Sequence, residues 1–145
     1  MHVSDLLRTK GSSVVTVRPD DDVRTLLSVL AQHHIGAVVV SADGAAIDGI
    51  VSERDVARAL DRDGAAVLSG AVSSIMTADV RICEPDTHLD ELSQVMTEGR
   101  FRHVPVVVDG RMVGIVSIGD VVKSRITELE VERDSLSSYI RTAVT

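Results

Sequence analysis

With 145 residues, 44% of them apolar and 26% charged, the chain has enough material for one sizeable core. A net charge of −7 and aromatic residues reduced to Phe101 and Tyr139 argue against a nucleic-acid partner, which needs basic patches or stacking rings. No apolar run is long enough for a bilayer, and Met-His-Val-Ser-Asp at the start lacks a secretory pattern. The lone Cys83 makes no internal disulfide, so the expectation is a cytoplasmic protein with no membrane partner.

In chain order, the sequence reads as two passes of one unit. Val-Ser-Asp-Leu-Leu at residues 3–7 predicts a short helical lead-in, with Val-Ser-Ser-Ile-Met at 72–76 as its counterpart. A strand follows each: Val14 to Val17, closed by Pro19-Asp20, and Val80 to Cys83, closed by Pro85-Asp86. Apolar residues at helical spacing come next, Val23, Leu26, Leu27 and Leu30 in one pass and Leu89, Leu92, Val95 and Met96 in the other. Two strands then form a hairpin in each pass, Ala37–Ser41 with Ile47–Ser52 and His103–Val108 with Arg111–Ser117. Asp43-Gly44 and Asp109-Gly110 supply the turns. A closing helix runs from Arg54 to about Arg62, and another from Asp120 onward.

The order is therefore β-α-β-β-α, twice: an α+β (mixed α/β) fold with residues 1–62 as first repeat, 63–71 as connector and 72–145 as second repeat. One such unit covers its sheet poorly alone, so the two are expected to pack face to face with pseudo-two-fold symmetry. The last helix runs on to about Ile140. Val122, Ile126, Leu129, Leu136 and Ile140 fall on a heptad seam in which Arg133 takes the remaining place. Such a face fits either cover for the chain's own body or contact with a partner subunit.

The candidate site lies where the repeats end alike, Gly-Ile-Val-Ser-Glu-Arg-Asp at 49–55 and Gly-Ile-Val-Ser-Ile-Gly-Asp at 114–120. Each runs a strand into a helix start, where unpaired N–H groups favour anions. Ser52 with Asp55, and Ser117 with Asp120, also have the spacing of a capping box, which explains the pair without any ligand. Duplication within a matching repeat adds weight to a binding role, and the two roles can coexist. Elsewhere the plainer readings stand. Adjacent His33-His34 point apart on a helix and have no acidic partners at metal-ligand spacing. Cys83 reads as a small buried strand residue, and His103 as either a core imidazole or a phosphate contact.

A tandem β-α-β-β-α repeat ending in Gly-Ile-Val-Ser-x-x-Asp, with Arg102-His103-Val104-Pro105 on a middle strand, resembles a CBS domain pair, or Bateman module. It is similar to the stand-alone type with an extended C-terminal helix. The resemblance implies a regulatory sensor, often a homodimer, that binds AMP, ADP, ATP, NAD or S-adenosylmethionine in clefts between the repeats. It implies that Asp55 and Asp120 accept from ribose hydroxyls and that Ser52 and Ser117 help hold phosphate. Thr16, Val17, Ile82 and Cys83 would lie against the base, Ile35, Gly36 and Ala37 would line one pocket, and Phe101 and Pro105 the other. Arg102 and His103 fit the phosphate positions. The first repeat has Gly36-Ala37 in their place, so its cleft would bind weakly or borrow a cation from Arg54, Lys10 or the other repeat.

No catalytic cofactor, metal or catalytic residue is expected, since the chain has no Gly-x-x-x-x-Gly-Lys-Ser/Thr loop, Gly-x-Gly-x-x-Gly or His-Glu-x-x-His. AMP is the foremost ligand expected, with NAD or ATP as further candidates and a protein target downstream. The alternative is a nucleotide-independent scaffold for dimerisation or partner contact.

Overall fold

The computed structural model describes residues 1–144. Its elements are α1 (Val3–Lys10), β1 (Thr16–Val17), α2 (Val23–His33), β2 (Ala37–Val40), β3 (Gly49–Ser52) and α3 (Glu53–Asp63). Two 3-10 turns (Ala65–Ser69 and Val72–Ser74) lead into α4 (Leu89–Gly99), β4 (His103–Val108), β5 (Arg111–Ser117) and α5 (Ile118–Val144). The mixed α/β architecture agrees with the sequence reading, and the β-α-β-β-α order is complete in the first repeat.

In the first repeat β2 is the central strand, parallel to β1 and antiparallel to β3, with Ala37 opposite Ser52. Its four residues are all buried, as a central strand covered on both faces requires. In the second repeat β4 pairs antiparallel with β5, placing His103 opposite Ser117. The strand expected over Val80–Cys83 is reduced to a single parallel bridge between Cys83 and Val106. There the Cys83 amide donates to the Pro105 carbonyl at 3.0 Å, and the Val107 amide donates to the Cys83 carbonyl at 2.9 Å.

The two turns also differ. Asp109 (φ 51°) and Gly110 (φ 76°) both take the left-handed region, forming the tight two-residue turn that right-twisted strands favour. Asp43-Gly44 is not such a turn. It lies in a longer loop, 41–48, where Asp43 Oδ1 accepts from the amides of Ala45 (2.9 Å) and Ala46 (2.8 Å). An aspartate that bonds the backbone just ahead of it stabilises a wider loop than a hairpin needs.

The cores show how the repeats join. Val3 and Leu6 of α1 lie in the second repeat's core with Leu89, Leu92, Met96, Val104, Val106 and Val116. Val72, the matching residue of the second lead-in, lies in the first repeat's core with Val17, Leu26, Leu30, Val38 and Val51. Backbone bonds fix both exchanges: the Val3 amide donates to Thr87 O (2.9 Å), and the Val72 amide donates to Asp21 O (2.8 Å). Val3 and Val72 are fully buried, and each contributes about 1.5–3 kcal/mol of burial to the half it does not belong to by sequence.

Where the second lead-in ends, Ile50 and Thr77 exchange backbone hydrogen bonds of 2.9 Å beside Gly49. A Cβ at Gly49 would stand 2.7 Å from Met76 Sδ and 2.8 Å from the Thr77 carbonyl oxygen. Gly49→Ala is therefore expected to cost about 1–3 kcal/mol in urea unfolding. Gly36→Ala, with nothing within 4 Å of its new methyl, should change stability by less than about 0.5 kcal/mol.

Candidate functional site

Both strand-to-helix corners carry a formed capping box. Asp55 Oδ2 accepts from the Ser52 amide (2.8 Å) and hydroxyl (3.0 Å), and the Asp55 amide donates to Ser52 Oγ (3.2 Å). Asp120 Oδ2 accepts from the Ser117 amide (2.9 Å), and the Asp120 amide donates to Ser117 Oγ (3.1 Å). The structural role anticipated for these pairs is thus present. In each box one carboxylate oxygen does the capping, and among the described residues Oδ1 of neither aspartate has a hydrogen-bond partner.

The two corners then diverge. At the second, Lys10 Nζ reaches across from the end of α1 and donates to Asp120 Oδ2 (2.5 Å) and to the Ile115 carbonyl (2.6 Å). The lysine weighed as a cation for the first cleft therefore belongs to the second. The contact spans 110 residues, and no local pattern in the sequence signals it. Burial works to raise the Asp120 carboxyl, but the Lys10 ammonium and the Ser117 amide outweigh it and hold the group below its ordinary value. Burial, reinforced by Lys10 and Arg102 and opposed by Asp120, pushes the His103 imidazole down from its ordinary 6.5.

In the same repeat, Ile82 and Phe101 line a cavity of about 420 Å³ with Asp79, Val80 and Arg81. Ile82 and Phe101 are among the predicted contacts. Asp79, Val80 and Arg81 are new: the sequence marks Val80 and Arg81 only as part of the expected strand and Asp79 as the residue before it. Arg102 is exposed, and its carbonyl accepts from the Ile118 amide at 2.8 Å. Cys83 and Pro105 are buried. Cys83 packs in the core, where burial and then Glu84 raise its thiol to about 11, the setting of an inert cysteine. A second cavity of about 270 Å³, between α4 and α5, holds none of the predicted residues.

At the first corner, Thr16, Ile35 and Asp55 are half-buried, while Val17 and Ala37 are buried. Gly36 is exposed, and its carbonyl accepts from the Glu53 amide at 3.0 Å, matching the Arg102 to Ile118 contact of the second repeat. Arg54 projects into solvent. His33 and His34 are exposed, with His34 in the left-handed region at the end of α2. Among the described residues no group of three or more His, Cys, Asp or Glu side chains could hold a metal ion, and no helix is long and apolar enough to cross a membrane.

The His103 shift has a testable sign. A native imidazole held below 6.5 binds fewer protons than the unfolded one just beneath that value, so its contribution to stability is full above 6.5 and is lost as pH falls through the native value. The wild-type urea midpoint should therefore fall between about pH 7 and about pH 5.5, and His103→Gln should reduce that fall.

Comparison with known proteins bears on the family and the fold. The CBS domain family model matches residues 3–62 and again 72–126. CBS domain-containing protein CBSX3, mitochondrial, of Arabidopsis thaliana is 36% identical over 96% of this chain and 71% of its own. The crystal structure of a CBS-domain containing protein from Agrobacterium tumefaciens, at 50% identity, superposes with a TM-score of 0.82 over 86% of this chain and 99% of its own. Two further neighbours, each 25% identical, were solved with ligands. The CBS domain pair of protein MJ0100 holds 5′-methylthioadenosine and S-adenosyl-L-methionine (TM-score 0.77, covering 88% of this chain and 98% of that one). CBSX2 is in complex with AMP (TM-score 0.71, covering 87% and 96%). With a β-α-β-β-α order in the first half, the same order in the second half save that its first strand is a single bridge, two matched corners and a family match in each half, this chain belongs to the CBS domain family as a CBS domain pair.

Proposed function

We propose that the chain is a non-enzymatic regulatory module that binds an adenosine-containing nucleotide between its repeats and signals to a protein target through a homodimer. AMP is the foremost ligand, with ADP, ATP or NAD as further candidates. The observation that carries the reading is the second cleft. A cavity lined by Asp79, Val80, Arg81, Ile82 and Phe101 belongs to the same repeat as the corner where Ser117, Asp120, Lys10 and His103 meet, with Phe101 two residues before His103 in the chain. Its volume suits a ligand of nucleoside size, and a mixed lining, with Asp79 and Arg81 next to Val80, Ile82 and Phe101, offers both an apolar face for a base and charged partners for polar groups.

In this reading adenine lies against Phe101 and the backbone of Ile82. Asp120 accepts from the ribose diol through Oδ1, the oxygen the cap leaves without a partner, since a carboxylate offers acceptors where a vicinal diol offers donors. Lys10, Arg102 and Ser117 hold the phosphate, and His103 joins them when protonated. The first cleft uses Asp55, Ser52, Thr16 and Ile35 in the same way, with Arg54 as its cation. It binds more weakly because Gly36-Ala37 bring no charge. Support also comes from the neighbours solved with AMP and with S-adenosyl-L-methionine. The scaffold alternative has the two formed caps in its favour, since they account for Ser52, Asp55, Ser117 and Asp120 without a ligand.

A thermal-shift panel of AMP, ADP, ATP, NAD and S-adenosylmethionine at millimolar concentration should raise the melting temperature with at least one of them, AMP first. No shift with any member leaves the scaffold. In calorimetric titration Asp120→Ala should weaken the tighter event at least about tenfold, the loss of charge-assisted bonds to the diol. Asp55→Ala should act on the weaker event. Each variant should lose about 1 kcal/mol of stability with its cap, and unchanged affinity in both would remove the ribose assignment.

A further inference from the structure

The long last helix leaves its own body early. Val121 and Ser124 are buried against the second repeat, but from Arg125 to Ala143 no residue is buried. A 27-residue helix reaches about 40 Å, so much of α5 lies beyond anything the chain packs on it. The heptad residues anticipated from the sequence are exposed: Val122 52%, Ile126 51%, Leu129 48%, Leu136 60% and Ile140 53%. Within its described residues the chain does not cover this face.

The charges beside the seam select the occupant. With Ile126, Arg133 and Ile140 at a positions and Val122, Leu129 and Leu136 at d, the flanking g positions are Arg125 and Glu132, and Glu130 is an e position. In a parallel, in-register pair each g residue meets the partner's e residue five further along, so Arg125 meets Glu130 of the second copy, twice by symmetry. Arg133 then faces the Arg133 of the second copy across the seam, each flanked by the other chain's Glu132, which offsets the like charge. An antiparallel pair centred on the same stretch sets Glu130 against Glu130 and Glu132 against Glu132. A charged residue at a single a position fixes register at some cost in stability, which is the part Arg133 would take. Within one chain Arg125 Nη1 donates to Glu128 Oε2 at 3.0 Å, an exposed contact that competes weakly.

We infer that the exposed face of α5 is the seam of a parallel, in-register two-stranded coiled coil with a second copy of this chain. This deepens the homodimer half of the proposed function and does not depend on nucleotide binding. The two CBS pairs then stand at the same end of a shared stalk.

The test is sedimentation velocity of the full chain over a concentration series, with charge reversal and a cross-link. Arg125→Glu should weaken dimerisation roughly tenfold, replacing two attractive contacts by two repulsive ones. Adding Glu130→Arg should restore it. These positions lie on opposite flanks of one helix, so rescue requires a second chain. Leu136→Cys should oxidise to a disulfide-linked dimer, as an in-register d position demands. All three residues are exposed, and circular dichroism should show each variant folded. A dimer indifferent to the reversals, or a Leu136→Cys variant that gives no cross-link, overturns this interface and leaves the homodimer to another face. A chain monomeric at all concentrations overturns both, while the nucleotide titrations still judge the ligand reading.

Discussion

Val3 and Leu6 lie in the core of the second repeat, and Val72 lies in the core of the first. This crossing of lead-ins is the constraint on which the rest of the molecule depends. A unit of this size buries too little apolar surface to hold its sheet alone, and each gains the missing layer from the other's sequence. The junctions are backbone bonds as well as apolar contact, Val3 to Thr87 and Ser4 to Pro85 on one side, Val72 to Asp21 and Ser73 to Pro19 on the other. The halves therefore cannot separate without opening both cores.

On that near-symmetric frame the two corners are unequal. The caps are the same, and the backbone contacts from Gly36 and Arg102 are the same. Charge makes the difference. Lys10, Arg102 and His103 gather at the second corner, whereas Gly36 and Ala37 leave the first without a counterpart. Duplication kept the geometry that folding requires and let the electrostatics drift apart.

Much of this was legible in the chain itself, for identifiable reasons. The strands His103–Val108 and Arg111–Ser117 have the expected bounds because Asp109-Gly110 is a strong turn and their apolar runs are long. The strand at Val80–Cys83 shrank to a bridge because pairing depends on a neighbour's register, which composition does not encode. Asp43-Gly44 looked like the same turn, but the bonds Asp43 makes to Ala45 and Ala46 open it into a loop. Periodicity showed that Val3, Leu6 and Val72 are apolar, yet it could not say which core would receive them. At the site, Ser52, Asp55, Ser117 and Asp120 stood out by repetition. Lys10 did not, because its contact with Asp120 exists only once the lead-ins have crossed.

That crossing gives the first ten residues two tasks. Leu6 seals a hydrophobic layer, and one turn later Lys10 sits on Asp120 and the Ile115 carbonyl. A recombinant version trimmed to begin at Val14, where the first strand looks like a sensible starting point, would lose both in a single cut. Its second half would be left with a gap in its interior and an acidic corner without its ammonium. A bulky fusion upstream of Met1 would press on the same place, because the Leu89 amide donates to the Met1 carbonyl and His2 stacks on His88 at 4.2 Å. The leader of this chain is a working part of its far end.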